Sequence, residues 1–198
     1  ENGLAKLNIN LLPGEYVLTA TNSINGEMFS NCVDVLPTIS SDNLNMNYKD
    51  GHKFTANVID DVGNPLAKSN VIFNVNGVFY TRLTNSEGVA SLAINLIPGK
   101  YIITAQYGDS KVSNTITVLS IIKANDITMK YRDGTKFKAT ILDGYGNPYP
   151  NQSVRFNING VFYTRPTNAS GVARLNINLP PENYILTAIH PDTGYTYS

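Results

Sequence analysis

Two aspartates stand in matching turns 83 positions apart, Asp60 in "DDVGNP" and Asp143 in "DGYGNP". A carboxylate ahead of a Gly-Asn-Pro turn can hold a calcium ion if further oxygens converge on it, but the ligand spacing of an EF-hand loop is missing. The competing job is an Asx turn, in which the carboxylate accepts hydrogen bonds from free backbone N–H groups. His52 and His190, the only histidines, have no counterparts: the matching positions hold Thr135 and Tyr107. No HExxH, CxxC or GxSxG pattern is present, so the residues of a zinc site or an activated nucleophile do not assemble from the sequence. The expectation is a non-enzymatic chain without cofactor, with Asp60 and Asp143 as the only, weak, metal candidates.

A second constellation is aromatic. "NGVFYTR" occurs at 76–82 and again at 159–165. Neighbouring residues on a strand face opposite sides, so one of each pair, Phe79/Tyr80 and Phe162/Tyr163, is expected in the core and the other outside. An exposed aromatic beside Arg82 or Arg165 can stack on a sugar or anchor a protein partner. The plainer alternative is cross-strand packing that stiffens a hairpin. Asn151 and Asn168 open the sequons "NQS" and "NAS", glycosylation acceptors that would suit an exported protein. In so Asn-rich a chain such matches also arise by chance. Lys53 and Lys136 lie on matching strands and Asn31 and Asn114 open others, the residue types of a self-formed isopeptide bond. The lysines alternate outward, which argues against it.

Composition removes other classes. Fifteen acidic and fifteen basic residues leave the chain without net charge, so no basic footprint for nucleic acid or an anionic membrane exists. Cys32 is alone, and no intramolecular disulfide can form. That count fits a cytosolic protein and equally a surface protein that never relied on disulfides. No signal peptide or membrane-spanning run is visible, and no direct membrane insertion is expected of this stretch.

The elements that must position these residues are repeated. "YKDGHKFTANVIDDVGNPLAKSNVIFNVNG" pairs with "YRDGTKFKATILDGYGNPYPNQSVRFNING", "TNSEGVASLAINLIPGKYIITA" with "TNASGVARLNINLPPENYILTA", and the opening "ENGLAKLNINLLPGEYVLTA" matches the same second half. Residues 1–37 read as the back half of one repeat, 38–121 as a complete repeat, and 122–198 as a repeat lacking its last strand. The plain explanation is an excerpt from a longer array. The other is an open slot that takes a strand by β-augmentation, with strand sharing between copies.

Within the complete repeat, Phe54, Ala56 and Val58 alternate with Lys53, Thr55 and Asn57, the pattern of a half-buried strand. Val71, Phe73 and Val75 follow, then Asn76-Gly77, a pair that tolerates positive φ at both central turn positions. Ala90, Leu92, Ile94 and Leu96 share one side of "GVASLAINL"; Tyr101, Ile103, Ala105, Ile116 and Val118 complete the inward set. Tyr16, Tyr101 and Tyr184 open matching strands, where a tyrosine corner or simple core packing is expected. About seven short strands between Gly, Asn and Pro turns predict an all-β fold of tandem immunoglobulin-like antiparallel sandwiches. The short links "LPTISSDN" and "SIIKAND" leave little slack between neighbours.

The pattern "D..GNP…V.F..NG..Y.R.TN..G.A.L.INL.PG.Y..TA" resembles the bacterial-type immunoglobulin-like repeats of invasin and intimin stalks. Its Asn-rich, Tyr-rich form is similar to repeats in large adhesin-like surface proteins of methanogenic archaea. The resemblance implies an extracellular, cell-surface stalk or presenting module with no catalytic residues to carry over. It implies a cell-surface protein or glycan as partner, beside the adjacent repeats of the same chain. An accessory domain of a secreted polysaccharide-acting enzyme is the further alternative.

Overall fold

The computed structural model describes residues 3–198. Every regular element among them is a strand: β1 (Gly14–Thr21), β2 (Met28–Val35), β3 (Ile39–Ser41), β4 (Leu44–Asn47), β5 (Lys53–Val58), β6 (Asn70–Val75), β7 (Val78–Leu83), β8 (Val89–Ala93), β9 (Gly99–Tyr107), β10 (Ser110–Leu119), β11 (Ile122–Ala124), β12 (Lys136–Ile141), β13 (Ser153–Ile158), β14 (Val161–Pro166), β15 (Val172–Asn176), β16 (Leu186–Ile189) and β17 (Thr196–Tyr197). They form sheets ordered β1-β2, β3-β5-β8, β4-β10-β9-β6-β7, β11-β12-β15 and β14-β13-β16-β17. The chain is all-β, in immunoglobulin-like layers. No helix among the described residues is long and apolar enough to cross a membrane.

Two compact units emerge. One contains the residues up to Leu44, Lys53–Leu92 and Tyr101–Ile116; the other contains Asn45–His52, Ala93–Lys100 and Thr117–Ser198.

In the first unit, the alternation of β5 and β6 becomes burial: Phe54, Ala56, Val58, Val71, Phe73 and Val75 are all inside while their neighbours face out or sit half-buried. Phe54 on β5 meets Phe73 on β6 edge-on, with ring centroids 5.9 Å apart at 88°. Because β5 and β6 belong to different sheets, this contact ties the two layers together. Edge-to-face rings are worth about 0.5–1.5 kcal/mol beyond the area they bury.

The second unit repeats the device. Phe137 on β12 meets Phe156 on β13 at 5.9 Å and 85°, within a core of Ile122, Ala139, Ile141, Val154, Ile158, Ala173, Leu175 and Ala188.

The hairpin turns follow their residue types. Asn76 and Gly77 take φ of 51° and 80°, Asn159 and Gly160 take 51° and 82°. That left-handed pair matches the twist of the flanking strands, and Asn-Gly is the pair that adopts it at least cost. Gly88 and Gly171 are required for a different reason. A Cβ on Gly88 would stand 2.5 Å from the Val58 carbonyl oxygen, and one on Gly171 2.5 Å from that of Ile141. There the backbone donates to the neighbouring strand's end: Val58 N–H to the Gly88 carbonyl, and Ile141 N–H to that of Gly171, each at 2.8 Å.

The opening residues behave differently. Leu7, Ile9 and Leu11 are exposed and lie outside any strand, although their alternation matches the strand "GVASLAINL". In the complete repeat that strand, β8, pairs with β5; β1 and β2 instead pair only with each other, from Gly14↔Val35 to Thr21↔Met28. A period-two pattern makes a strand only where a ladder partner exists.

Candidate functional site

Asp60 sits where β5 has ended and the chain bridges Ile59 to Pro65. Its Oδ1 accepts from the backbone N–H of Val62 at 3.1 Å and of Asn64 at 2.8 Å, and its Oδ2 from the Asn64 amide at 3.3 Å. Asp143 does the same with Tyr145 at 2.9 Å, Asn147 at 2.8 Å and the Asn147 amide at 3.4 Å. The backbone N–H of Asn64 is the main cause holding the Asp60 carboxyl below its ordinary value, and that of Asn147 does so for Asp143. Asp133 is lowered too, chiefly by the Thr135 N–H. These carboxylates are Asx-turn acceptors. No group of three or more His, Cys, Asp or Glu side chains able to hold a metal ion is found among the described residues.

The histidines part company. His190 is buried, with Nε2 2.8 Å from the Leu142 carbonyl and Nδ1 3.3 Å from the Asp192 N–H. A carbonyl can only accept and an N–H can only donate, so the proton resides on Nε2 and both ring nitrogens are satisfied. The ring also stacks on Tyr149, centroids 6.1 Å apart. His52 is exposed, its Nδ1 2.9 Å from an Asp50 carboxylate oxygen.

The aromatic hairpins split by copy. Tyr163 packs half-buried against the core while Phe162 faces out, as alternation requires. In the earlier copy both Phe79 and Tyr80 are exposed, at 67% and 38%, so the expected core member is missing there. Strand position does not separate the copies: Tyr80 pairs with Phe73 as Tyr163 pairs with Phe156, and β7 and β14 are each the outermost strand of their sheet. Arg82 lies 5.9 Å from the Tyr80 ring and donates to the Thr81 carbonyl at 2.8 Å; Arg165 donates to that of Thr164 at 2.7 Å. The closest cation–ring approach belongs to a residue the motif does not contain: Arg155 on β13 stands 4.5 Å over Phe162. Its counterpart is Ile72, so the two hairpins present different faces, one apolar and one with a guanidinium over the ring.

The sequons lie in turns. Asn151 has φ of 58°, and the Asn168 Oδ1 accepts from Ser170 at 3.0 Å and Val172 at 2.9 Å. Lys53 and Lys136 are exposed, and Asn114 accepts from the Ser41 hydroxyl at 2.5 Å.

Two features escaped sequence reasoning. Thr84 and Thr167, in the "TN" that follows each hairpin, are buried. Each hydroxyl donates to the carbonyl of Leu66 or Tyr149, at 2.6 and 2.7 Å, and accepts from the N–H of Ser69 or Gln152, at 2.9 and 2.8 Å. The threonine locks the crossover loop to the edge strand, and its repetition 83 residues apart was the available signal. Of the two readings open for the tyrosines, a corner or simple core packing, the hydroxyl bonds favour the corner: the Tyr16 hydroxyl donates to the Leu12 carbonyl at 2.8 Å and that of Tyr184 to Pro180 at 3.0 Å.

No family model matches the chain. Solved structures with tandem β-domains are similar to it. A calcium-stabilised adhesin of an Antarctic bacterium that binds ice is 14% identical over 92% of this chain and 54% of its own, with a TM-score of 0.32. Invasin, a bacterial integrin-binding protein, is 20% identical over 80% of this chain and 37% of its own, TM-score 0.36. The I9–I11 tandem of titin is 19% identical over 94% of this chain and 74% of its own, TM-score 0.42. The chain thus spans about half the length of the first of these and less than half of the second.

Proposed function

We propose that the repeats are non-catalytic spacers of a cell-surface, adhesin-like protein, a stiff stalk that holds a binding region away from the envelope. One observation carries the reading: the turn aspartates and the buried threonines hold the backbone in the same way in both copies, and so do the core phenylalanine pairs. Asp60 and Asp143, Thr84 and Thr167, and the two edge-on phenylalanine pairs keep their partners and distances to within about 0.2 Å of each other across the 83-residue repeat. Two repeats with matching turns and core contacts and differing surfaces are what a stiff tandem spacer needs. The resemblance of the repeat pattern to adhesin stalks agrees with it.

Pulling the full chain by its ends tests the mechanical role. A spacer gives discrete unfolding peaks, each releasing about 250 Å, the contour of one repeat at about 3.6 Å per residue less its folded span. Smooth extension without peaks would remove the stalk.

A second reading rests on the hairpins. Phe79, Tyr80 and Arg82 are exposed in one hairpin, and Phe162 with Arg155 over its ring in the other, each a surface of the kind that stacks on sugar rings or anchors a protein loop. Glycan arrays and pull-downs with cell-surface extracts decide it. Binding lost in Phe79→Ser and Phe162→Ser, with the melting temperature unchanged, would make the repeats binding modules themselves.

A further inference from the structure

The two aromatic hairpins present edges of different kinds. β7 and β14 each close one side of their sheet, and every residue of β7 is exposed. Asn76 and Gly77 make a two-residue turn, so the main chain of Val78 bonds back to Val75, and bonded pairs alternate along the ladder from there. Thr84 confirms the phase: its N–H donates to the Ser69 carbonyl, on the β6 side, at 2.9 Å. Val78, Tyr80 and Arg82 therefore turn their main-chain groups to β6, and those of Phe79, Thr81 and Leu83 point off the sheet.

On β14 the outward set is Phe162, Thr164 and Pro166, the Thr167 N–H on the Gln152 carbonyl at 2.9 Å fixing the same phase. Pro166 has no N–H to offer and its ring obstructs the edge, a device that keeps strands from pairing sideways. β7 has Leu83 at that place and carries no Pro, Lys, Asp or Glu. Its one charge, Arg82, bonds the outward Thr81 carbonyl at 2.8 Å, which no neighbouring strand among the described residues reaches. Phe79 and Leu83 continue an exposed apolar surface with Ile72, which pairs with Thr81.

We infer that β7 is a docking edge for β7 of a second copy of this chain, the two strands running antiparallel about a two-fold axis at Thr81. In that register Phe79 exchanges main-chain bonds with the partner's Leu83, Leu83 with the partner's Phe79, and Thr81 with the partner's Thr81. The side chains are self-complementary. Phe79 lies against the partner's Leu83 on one face and the two threonines meet at the axis, while on the other face Arg82 leaves the Thr81 carbonyl and stands across from the partner's Tyr80 ring instead of the partner's Arg82. An isologous contact of this kind occupies the edge it joins and closes at a dimer, and Pro166 keeps β14 out of it. The inference goes beyond the spacer reading: it joins chains side by side, and the force response of a single chain does not depend on it.

Sedimentation of the full chain over a concentration series, with residue-resolved hydrogen exchange at the lowest and highest concentrations, tests the pairing. The expected result is a monomer–dimer equilibrium in which exchange at Phe79, Thr81 and Leu83 slows as concentration rises. Val78, Tyr80 and Arg82, already bonded to β6, are expected to stay as they are, and so are Phe162 and Thr164. Leu83→Pro copies the residue the last repeat holds at this place and is expected to weaken the dimer by about tenfold or more, with the melting temperature of the monomer unchanged. Thr81→Lys sets two like charges against each other at the axis from an exposed position and is expected to weaken it as well. A chain that stays monomeric at millimolar concentration, a dimer that both variants leave intact, or slowing that ignores the alternation would overturn the inference.

Discussion

A buried hydroxyl and a carboxylate in a turn carry most of the local specification, and both can be removed singly. Thr84→Val keeps the shape but leaves the Leu66 carbonyl and the Ser69 N–H without their partner. The expected loss is about 1–3 kcal/mol, read as a shift in urea midpoint, with Thr167→Val the same. Gly88→Ala is expected to cost more than Gly77→Ala: the added methyl at 88 meets backbone at 2.5 Å, whereas nothing stands within 4 Å at 77. Asp60, Asp133 and Asp143 have depressed pKa values, so their contribution is fully present above the ordinary value of 3.8 and is lost as pH falls through the lower folded values. Asp60→Asn with Asp143→Asn is expected to flatten that acid loss in urea titrations at pH 6 and pH 2.5, with Asp133 still contributing.

Strands explain why some of this was legible and some was not. The inward sets at Phe54/Ala56/Val58 and Val71/Phe73/Val75 were readable because period two leaves one register that buries them. The Asn-Gly turns were readable because few residue pairs accept two positive φ values. Tyr80 was not, since its motif, its pairing with a core phenylalanine and its edge strand are all shared with Tyr163, and only the folded surroundings separate the two. Leu7, Ile9 and Leu11 misled for the complementary reason: their alternation is that of β8, without the β5 that would pair with it. His190 was opaque because its partners, the Leu142 carbonyl and the Tyr149 ring, are brought to it only by folding. A two-stranded ribbon is marginal in water, so limited proteolysis followed by mass spectrometry is expected to cut first within 3–36. Phe79→Ser is expected to move stability by no more than about 0.5 kcal/mol, whereas Phe73→Ala costs about 3–5 kcal/mol.

Across the whole molecule, the account holds that one sandwich design is used in tandem and that its polar residues are spent on holding it. Hydrogen exchange of the full chain, resolved by residue, tests this most directly. The account predicts that the slowest amides occur as two matching sets offset by 83 positions, centred on β6 with β5 and on β13 with β12, with the ribbon of β1 and β2 exchanging fastest of the strands. Protection in only one set, or slow exchange spread through the opening 36 residues, would contradict it.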